Sequence, residues 1–463
     1  MEYSDLVKKV IINLSDIYEK HIRGILQDIQ ELIMKKVLIL SLLLSFAGSI
    51  HALTIDEAVQ KGLANNFGLK SQSSVINSSK YRFKASKAGR MPSLIFEGSY
   101  TKNDRAKKTQ ISLPSPAIPD ISMTQVEQEY TEAMAALKYD IYTGGAVTHD
   151  VKSKKLDYKY EKLIFDEKKQ ELVYNIRVAF INILKQKSLL NSAKQEVSAL
   201  KSHMQDVIDL AEEGLVPELD KLHTKVRLRM AQQRVTSLKG NLKSAKSRLY
   251  SLMGIESYNN EKTIEKIGDI KPRQLNTEEL FKLAEKNRPI LKALRIKHRS
   301  VLQKAQAAES GYKPKVYVMG GYKYSDMNES VEPQDNTFIQ AGVSFKLDWT
   351  KDVNMVNSLK QKAYSIADTR RNTSLQIKTE VRKAFENMQS ARENKIVAKT
   401  ALKEAEEYYR IMKLKYKNTL ATNTDVLDAE AMLTKAREDY TIAFYNYAES
   451  IYALEKAVGN SLG

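Results

Sequence analysis

The sequence predicts a mixed fold, in which long coiled-coil α-helices join short β-strands of the kind that cross a membrane, and the whole unit occurs twice in tandem. Three observations lead there. The first half of the chain repeats in the second, the helices carry a seven-residue apolar spacing, and the strands alternate apolar and polar residues downstream of an export signal.

Taken in chain order, residues 1–33 precede Met34, which has the character of an initiator, so they are expected to be an upstream start-site error, with a real amphipathic extension as the alternative. Residues 34–52, MKKVLILSLLLSFAGSIHA, place Lys35 and Lys36 before an apolar run from Val37 to Ile50, with Ala52 as the small residue at the cut. That run of about 14 residues fits a signal-peptide core and falls short of the roughly 20 needed to span a bilayer. No Cys occurs anywhere in the 463 residues, which excludes disulfides, cysteine-ligated metals and a lipoprotein anchor. The formal net charge is +18, yet Lys and Glu interleave along the chain and no basic run accompanies a nucleic-acid motif. The charge is therefore read as solvated helix faces, with no nucleic acid as partner.

The duplication fixes the domain plan. A shift of 222 positions carries Leu53 onto Leu275, Asn65 onto Asn287, Gly89 onto Gly311, Pro92 onto Pro314 and Tyr100 onto Tyr322. A shift of 205 carries Asp220 onto Asp425, Leu222 onto Leu427, Ala231 onto Ala436 and Gly254 onto Gly459. Residues 53–254 form one repeat and 275–463 the other, with 255–274 as the connection. Each repeat is expected to read helix, strand, strand, long helix, helix.

Apolar residues at alternating steps of four and three mark the long helices. They include Leu172, Ile176, Ala179, Ile183, Leu190, Ala193 and Leu200 in the first repeat, interrupted at Gln186. Ile377, Val381, Ala384, Met388, Ala391, Ala398 and Leu402 do the same in the second, interrupted at Lys395. Such a heptad supercoils left-handedly against neighbours. No Pro occurs between Pro119 and Pro217 or after Pro333, so a helix over about 147–212 would run roughly 100 Å.

The strands are expected at about 93–103, 130–142, 315–325 and 337–349. In TFIQAGVSFKLDW, Ile339, Ala341, Val343, Phe345, Leu347 and Trp349 alternate with Gln340, Gly342, Ser344, Lys346 and Asp348. Apolar-out, polar-in runs of about ten residues with aromatic ends suit a transmembrane barrel, although a half-buried soluble sheet has the same period. Export and the long polar loops holding PSPAIPD and MNESVEPQDN favour the membrane. Four strands cannot close a pore and lipid tolerates no open edge, so several chains would have to share one barrel.

From Leu53 to Gly459 the sequence resembles the TolC-type outer-membrane efflux proteins. The resemblance rests on LTIDEAVQKGLANN, the Gly89-x-x-Pro92 and Gly311-x-x-Pro314 joints, IYTGG at 141–145, and DVLDAEAMLTKA ahead of a Tyr-rich helix ending in ALEKAVG. It implies a homotrimer with four strands per chain in a twelve-stranded outer-membrane barrel, continued by a long periplasmic coiled-coil α-helical barrel. It also implies a passive exit duct in outer-membrane lipid of a Gram-negative bacterium. The duct would serve an efflux pump or type I secretion system, through a periplasmic adaptor and an inner-membrane pump of RND or ABC type. The alternative class is a non-conducting periplasmic coiled-coil scaffold.

The same resemblance implies the site. Asp425 and Asp428 would form acidic rings at the periplasmic entrance, able to bind a blocking divalent ion, with Tyr416 helping to hold it closed. The family's basic partner would fall near Ala421. Asp220 is the repeat equivalent of Asp425, but His223 stands where the second acid would be. From the residues alone, Asn423 or Thr424 could cap a helix whose positive end stabilises Asp425. The turns holding Gly214, Leu215, Val216 and Pro217, and Leu420, would be the tips that dock the adaptor. His residues are scattered, and no phosphate loop or nucleophile elbow occurs, so no enzyme activity, cofactor or resident metal is expected.

Overall fold

The computed structural model describes residues 53–111, 121–256, 276–328, 331–346 and 348–461. The chain divides into two compact units, Met1–Thr54 with Asn259–Glu265, and Ile55–Tyr258 with Lys266–Gly463. Every element below belongs to the second unit. The extension at 1–33, the signal segment at 34–52, most of the 255–274 connection and the PSPAIPD stretch lie outside the described residues.

The elements run α1 (Ile55–Asn65), α2 (Phe67–Ala88), β1 (Ser93–Lys102), β2 (Lys107–Ile111), β3 (Ile121–Val126), β4 (Glu129–Tyr142), α3 (Ala146–Glu212) and α4 (Glu218–Leu252) in the first repeat. The second repeat has α5 (Thr277–Asn287), α6 (Pro289–Ala308), β5 (Lys315–Ser325), β6 (Asp335–Ser344), α7 (Lys351–Lys417) and α8 (Asn423–Val458). Three features differ from the sequence expectation. Each repeat opens with two helices rather than one, broken at Asn66 and at Arg288. The first inter-strand loop contains a two-stranded ribbon, β2 with β3. And β6 stops at Ser344, before Trp349, which has φ +45°.

The four-stranded sheet has the order β1-β4-β5-β6, antiparallel throughout. One hairpin comes from each repeat, and β4–β5 pairing joins them. Register makes the two faces unlike. Leu94, Leu137, Gly320 and Ile339 form one row across the sheet, and Phe96, Ala135, Tyr322 and Thr337 the next. On the opposite face the rows are Ser93, Lys138, Met319, Gln340 and Glu97, Met134, Lys323, Asn336, with Lys323 paired to Glu132 at 3.2 Å. The apolar face is bare: Ile339 is 89% exposed, and Leu94, Phe96, Tyr139, Val343 and Phe345 are exposed with it.

Each long helix has 67 residues, about 100 Å. The α3 heptad is the main buried seam, with Ile176, Ala179, Ile183, Ala193, Leu200 and Val207 all closed to solvent. Helix α3 packs on α2, α4, α6 and α8, whereas α7 packs on α5, α6 and α8. Ile377, Val381 and Ala384 of α7 meet Leu280, Leu291, Leu454 and Val458 in a second core.

The repeats close in the same way. Gly254 and Gly459 end α4 and α8 in the left-handed region, φ +70° and +74°, a conformation that favours Gly. Space alone also demands Gly254, since a Cβ there would lie 2.6 Å from the Asn65 carbonyl oxygen.

Candidate functional site: the helix tips

Two turns reverse the chain about 100 Å along the helices from the sheet. In the first, Gly214 takes φ +76° and the Leu215 amide donates to the Leu210 carbonyl at 2.9 Å. In the second, Thr419 takes φ +57° and the Leu420 amide donates to the Lys415 carbonyl at 2.8 Å. These are the same C-terminal motif at equivalent positions, with a β-branched residue replacing Gly in the second repeat. Leu215 and Leu420, the latter 75% exposed, project from the two turns. Pro217 precedes α4, and Val216 turns inward onto a plug formed by Val207, Tyr416 and Val426, which Ala421 also touches.

The acidic pair lies at the start of α8. Thr422, rather than Asn423 or Thr424, caps this helix in a reciprocal box with Asp425. Asp425 Oδ2 accepts from the Thr422 amide at 2.8 Å and the Thr422 hydroxyl at 2.7 Å, and the Asp425 amide donates back to Thr422 Oγ1 at 3.2 Å. The Thr422 hydroxyl, then its backbone N–H, holds the Asp425 carboxyl below the usual carboxylate range. Asp428 is exposed, and its neighbouring base is Arg227 on α4, Nη2 to Oδ1 3.8 Å. Among the described residues of one chain no group of three or more His, Asp or Glu could hold a metal.

Tyr416 is only 2% exposed, with its ring edge-on to His203 at 5.0 Å. Its hydroxyl has no partner among the described residues, and burial, followed by the nearby Asp220 and Asp206 carboxylates, pushes its pKa up to about 12. Lys417 Nζ reaches Asp206 Oδ1 at 3.4 Å, tying the end of α7 to α3. Asp220 is half-buried in the first turn of α4, and its carbonyl accepts from Thr224 Oγ1 at 2.9 Å and Asn423 Nδ2 at 3.4 Å.

Thus Tyr416, Asp220, Asp425 and Asp428 share one end of the molecule. Sequence reasoning did not identify Arg227, His203, Thr224 or Asn423 as their partners. A polar residue between the heptad positions Leu200 and Met204 was the available signal for His203. The pairing of Arg227 with Asp428, 201 positions apart, left no local trace.

Known proteins share this fold. The outer membrane efflux protein family matches residues 58–255 and 280–460. The outer membrane protein TolC of Escherichia coli (strain K12) is 23% identical over 317 residues, which span 65% of this chain and 63% of TolC, under two thirds of that relative. The outer-membrane channel OprN superposes with a TM-score of 0.74 at 15% identity, covering 88% of this chain and 90% of OprN. The Campylobacter jejuni CmeC outer membrane channel does so with 0.73 at 16% identity, covering 88% and 85%. With both repeats matched nearly end to end, the chain belongs to the outer membrane efflux protein family.

Proposed function

We propose that this chain is the outer-membrane exit duct of a tripartite efflux pump or type I secretion system. Three copies complete a twelve-stranded barrel, and the long helices reach into the periplasm. The observation that carries the reading is the four-stranded sheet with one bare apolar face and outer edges on β1 and β6 that no described strand pairs. Each large apolar side chain left in water forgoes about 1.5–3 kcal/mol, so a whole face of them must be covered, and lipid covers one face of a closed barrel. The aromatics Tyr100, Tyr322 and Tyr324 at one end of the sheet and Phe345 and Trp349 at the other fit the two interfacial belts.

Transport is passive, with energy supplied by the inner-membrane pump of RND or ABC type. The exposed turns at Gly214–Pro217 and Leu420 receive the periplasmic adaptor. Asp425 and Asp428, repeated about the axis of the assembly, form an acidic entrance that favours cations and binds a blocking divalent ion. Asp425 combines this role with capping α8.

Planar-bilayer conductance of the processed chain tests the reading. Small cation-favouring currents, blocked by divalent ions on the tip side and freed in Asp425→Asn/Asp428→Asn, are expected. Currents indifferent to that double variant would reduce the aspartates to helix punctuation. No current from folded oligomers would favour the scaffold.

A further inference from the structure

The junction between the two repeats near the tips contains a histidine that the duct does not use. His203, on α3, is 1% exposed. Its Nε2 lies 2.7 Å from Asn423 Oδ1, the first residue of α8. The Asn423 amide has a fixed orientation, because its Nδ2 faces the Asp220 carbonyl, which can only accept. Its Oδ1 therefore faces His203, and Nε2 must carry the hydrogen. In the neutral ring Nδ1 is then bare, and that atom is buried with no partner among the described residues.

A proton on Nδ1 would place a cation inside the Val207–Tyr416–Val426 plug. The groups facing the ring come from all four packed helices. Asp206 on α3 itself and Asp220 on α4 favour the proton, while Lys413 on α7 opposes it. Tyr416 on α7 presents a ring edge and an unpartnered hydroxyl, and Asn423 on α8 and its neighbour Thr224 on α4 are neutral. Burial outweighs the Asn423 hydrogen bond and the two carboxylates, all of which favour the proton, and holds the imidazole below its ordinary range.

We infer that His203 is a proton-sensitive clasp, which holds the start of α8 to α3 and α4 while its ring is neutral and loosens the tip in mild acid. The sign follows from linkage. The open state takes up the proton more readily than the closed one, so the clasp is fully effective above the free-histidine value of about 6.5 and weakens as pH falls below it. One proton gives at most about a tenfold shift in the opening equilibrium per pH unit.

Hydrogen exchange of the full chain, with Glu430→Gln in every sample so that its opposing titration is absent, read in peptides covering 200–210 and 423–433 and corrected for intrinsic rates, tests this between pH 7.5 and 5.5. Protection of this parent chain should fall toward tenfold per pH unit below about 6.5. His203→Gln keeps a donor for Asn423 and cannot titrate, so its protection at pH 7.5 should stay within about twofold of the parent and its acid slope should vanish. Asn423→Asp sets a carboxylate against Nε2 and should cancel or reverse the slope, which gives a second reading if His203→Gln fails to fold. Equal protection of the parent at both pH values, or an unchanged slope in either folded variant, overturns the clasp. The exchange readout does not depend on conduction, so a chain that passes no current still answers the question.

Discussion

Asn66 and Arg288 occupy equivalent positions in the two repeats and clasp equivalent carbonyls. Asn66 Nδ2 donates to the Leu252 carbonyl at 2.9 Å, and Arg288 Nη1 to the Ala457 carbonyl at 3.2 Å. Each sits where the opening helix of its repeat breaks, and each holds the end of that repeat's last helix. Arg288 does more, for its guanidinium also meets Glu167 and Glu380 at 3.0 Å while only 7% exposed.

The two clasps should therefore differ in strength. Arg288→Met leaves Glu167 without its ion partner and Glu380 with Lys456 alone, and should cost about 2–3 kcal/mol, with Arg288→Lys a poor rescue because it lacks the planar fork. Asn66→Ala loses a neutral bond and a cap, about 1–2 kcal/mol. Denaturant midpoints of the two variants, compared at one protein concentration, check the order.

Capping and the proposed gating at the start of α8 can be separated. Thr422→Ala should destabilise the helix by about 1 kcal/mol and leave divalent block intact, because both carboxylates remain. Asp425 is depressed in the folded chain, so its share of the cap is present above the unfolded value of about 3.9 and is lost as pH falls through the folded value. Asp428→Asn leaves Asp425 and the Thr422 box in place and should keep that acid step in stability, yet should weaken the block.

Much of this architecture was legible in the sequence. The repeat located both halves, the heptad from Leu172 to Val207 marked the α3 seam, and alternation along β6 marked the apolar face of the sheet. Other features were hidden for physical reasons. Thr422, Asn423 and Thr424 are all good caps, and only the geometry of the Thr419–Leu420 turn decides among them. Pro289 in the first turn of α6 was a readable start signal for the second helix break, whereas the first break has no Pro, and Asn66 looks like any helix-interior polar residue. The β2–β3 ribbon is built from KKTQI and ISMTQV, too polar to show alternation.

Glu430 gives a pH signature of opposite sign to His203. Buried beside Glu196 and opposed only partly by the Thr434 hydroxyl at 2.9 Å, its carboxyl is pushed up to about 7 by burial first. A raised carboxyl binds its proton more tightly in the folded state. Its contribution is complete below the unfolded value of about 4.3 and is lost as pH rises through 7. Glu430→Gln should flatten stability between pH 5 and 8 and gain on the order of 2 kcal/mol at pH 8, measured by chemical denaturation at each pH.

Arg227 bears on the proposed acidic entrance. At 3.8 Å from Asp428, with both side chains about half exposed, the pair contributes less than about 1 kcal/mol. Arg227→Gln should tighten divalent block two- to fivefold in the conductance assay and leave the fold unchanged, and weaker block would exclude Arg227 as a competitor for Asp428.

Thr419 holds a left-handed backbone that its repeat counterpart Gly214 adopts without strain. Thr419→Gly should stabilise the chain by roughly 1 kcal/mol, visible as a higher melting temperature.

The β4–β5 seam has a consequence for assembly. Because the tandem chain itself ties the two hairpins together, that seam forms at an effective concentration set by the polypeptide and is indifferent to dilution. The outer edges of β1 and β6 have no such tether, and contacts made there with further copies obey mass action. Such a contact is head-to-tail, so it must either close into a ring or propagate without end. Dilution would therefore separate whole four-stranded blocks, never the two hairpins within one.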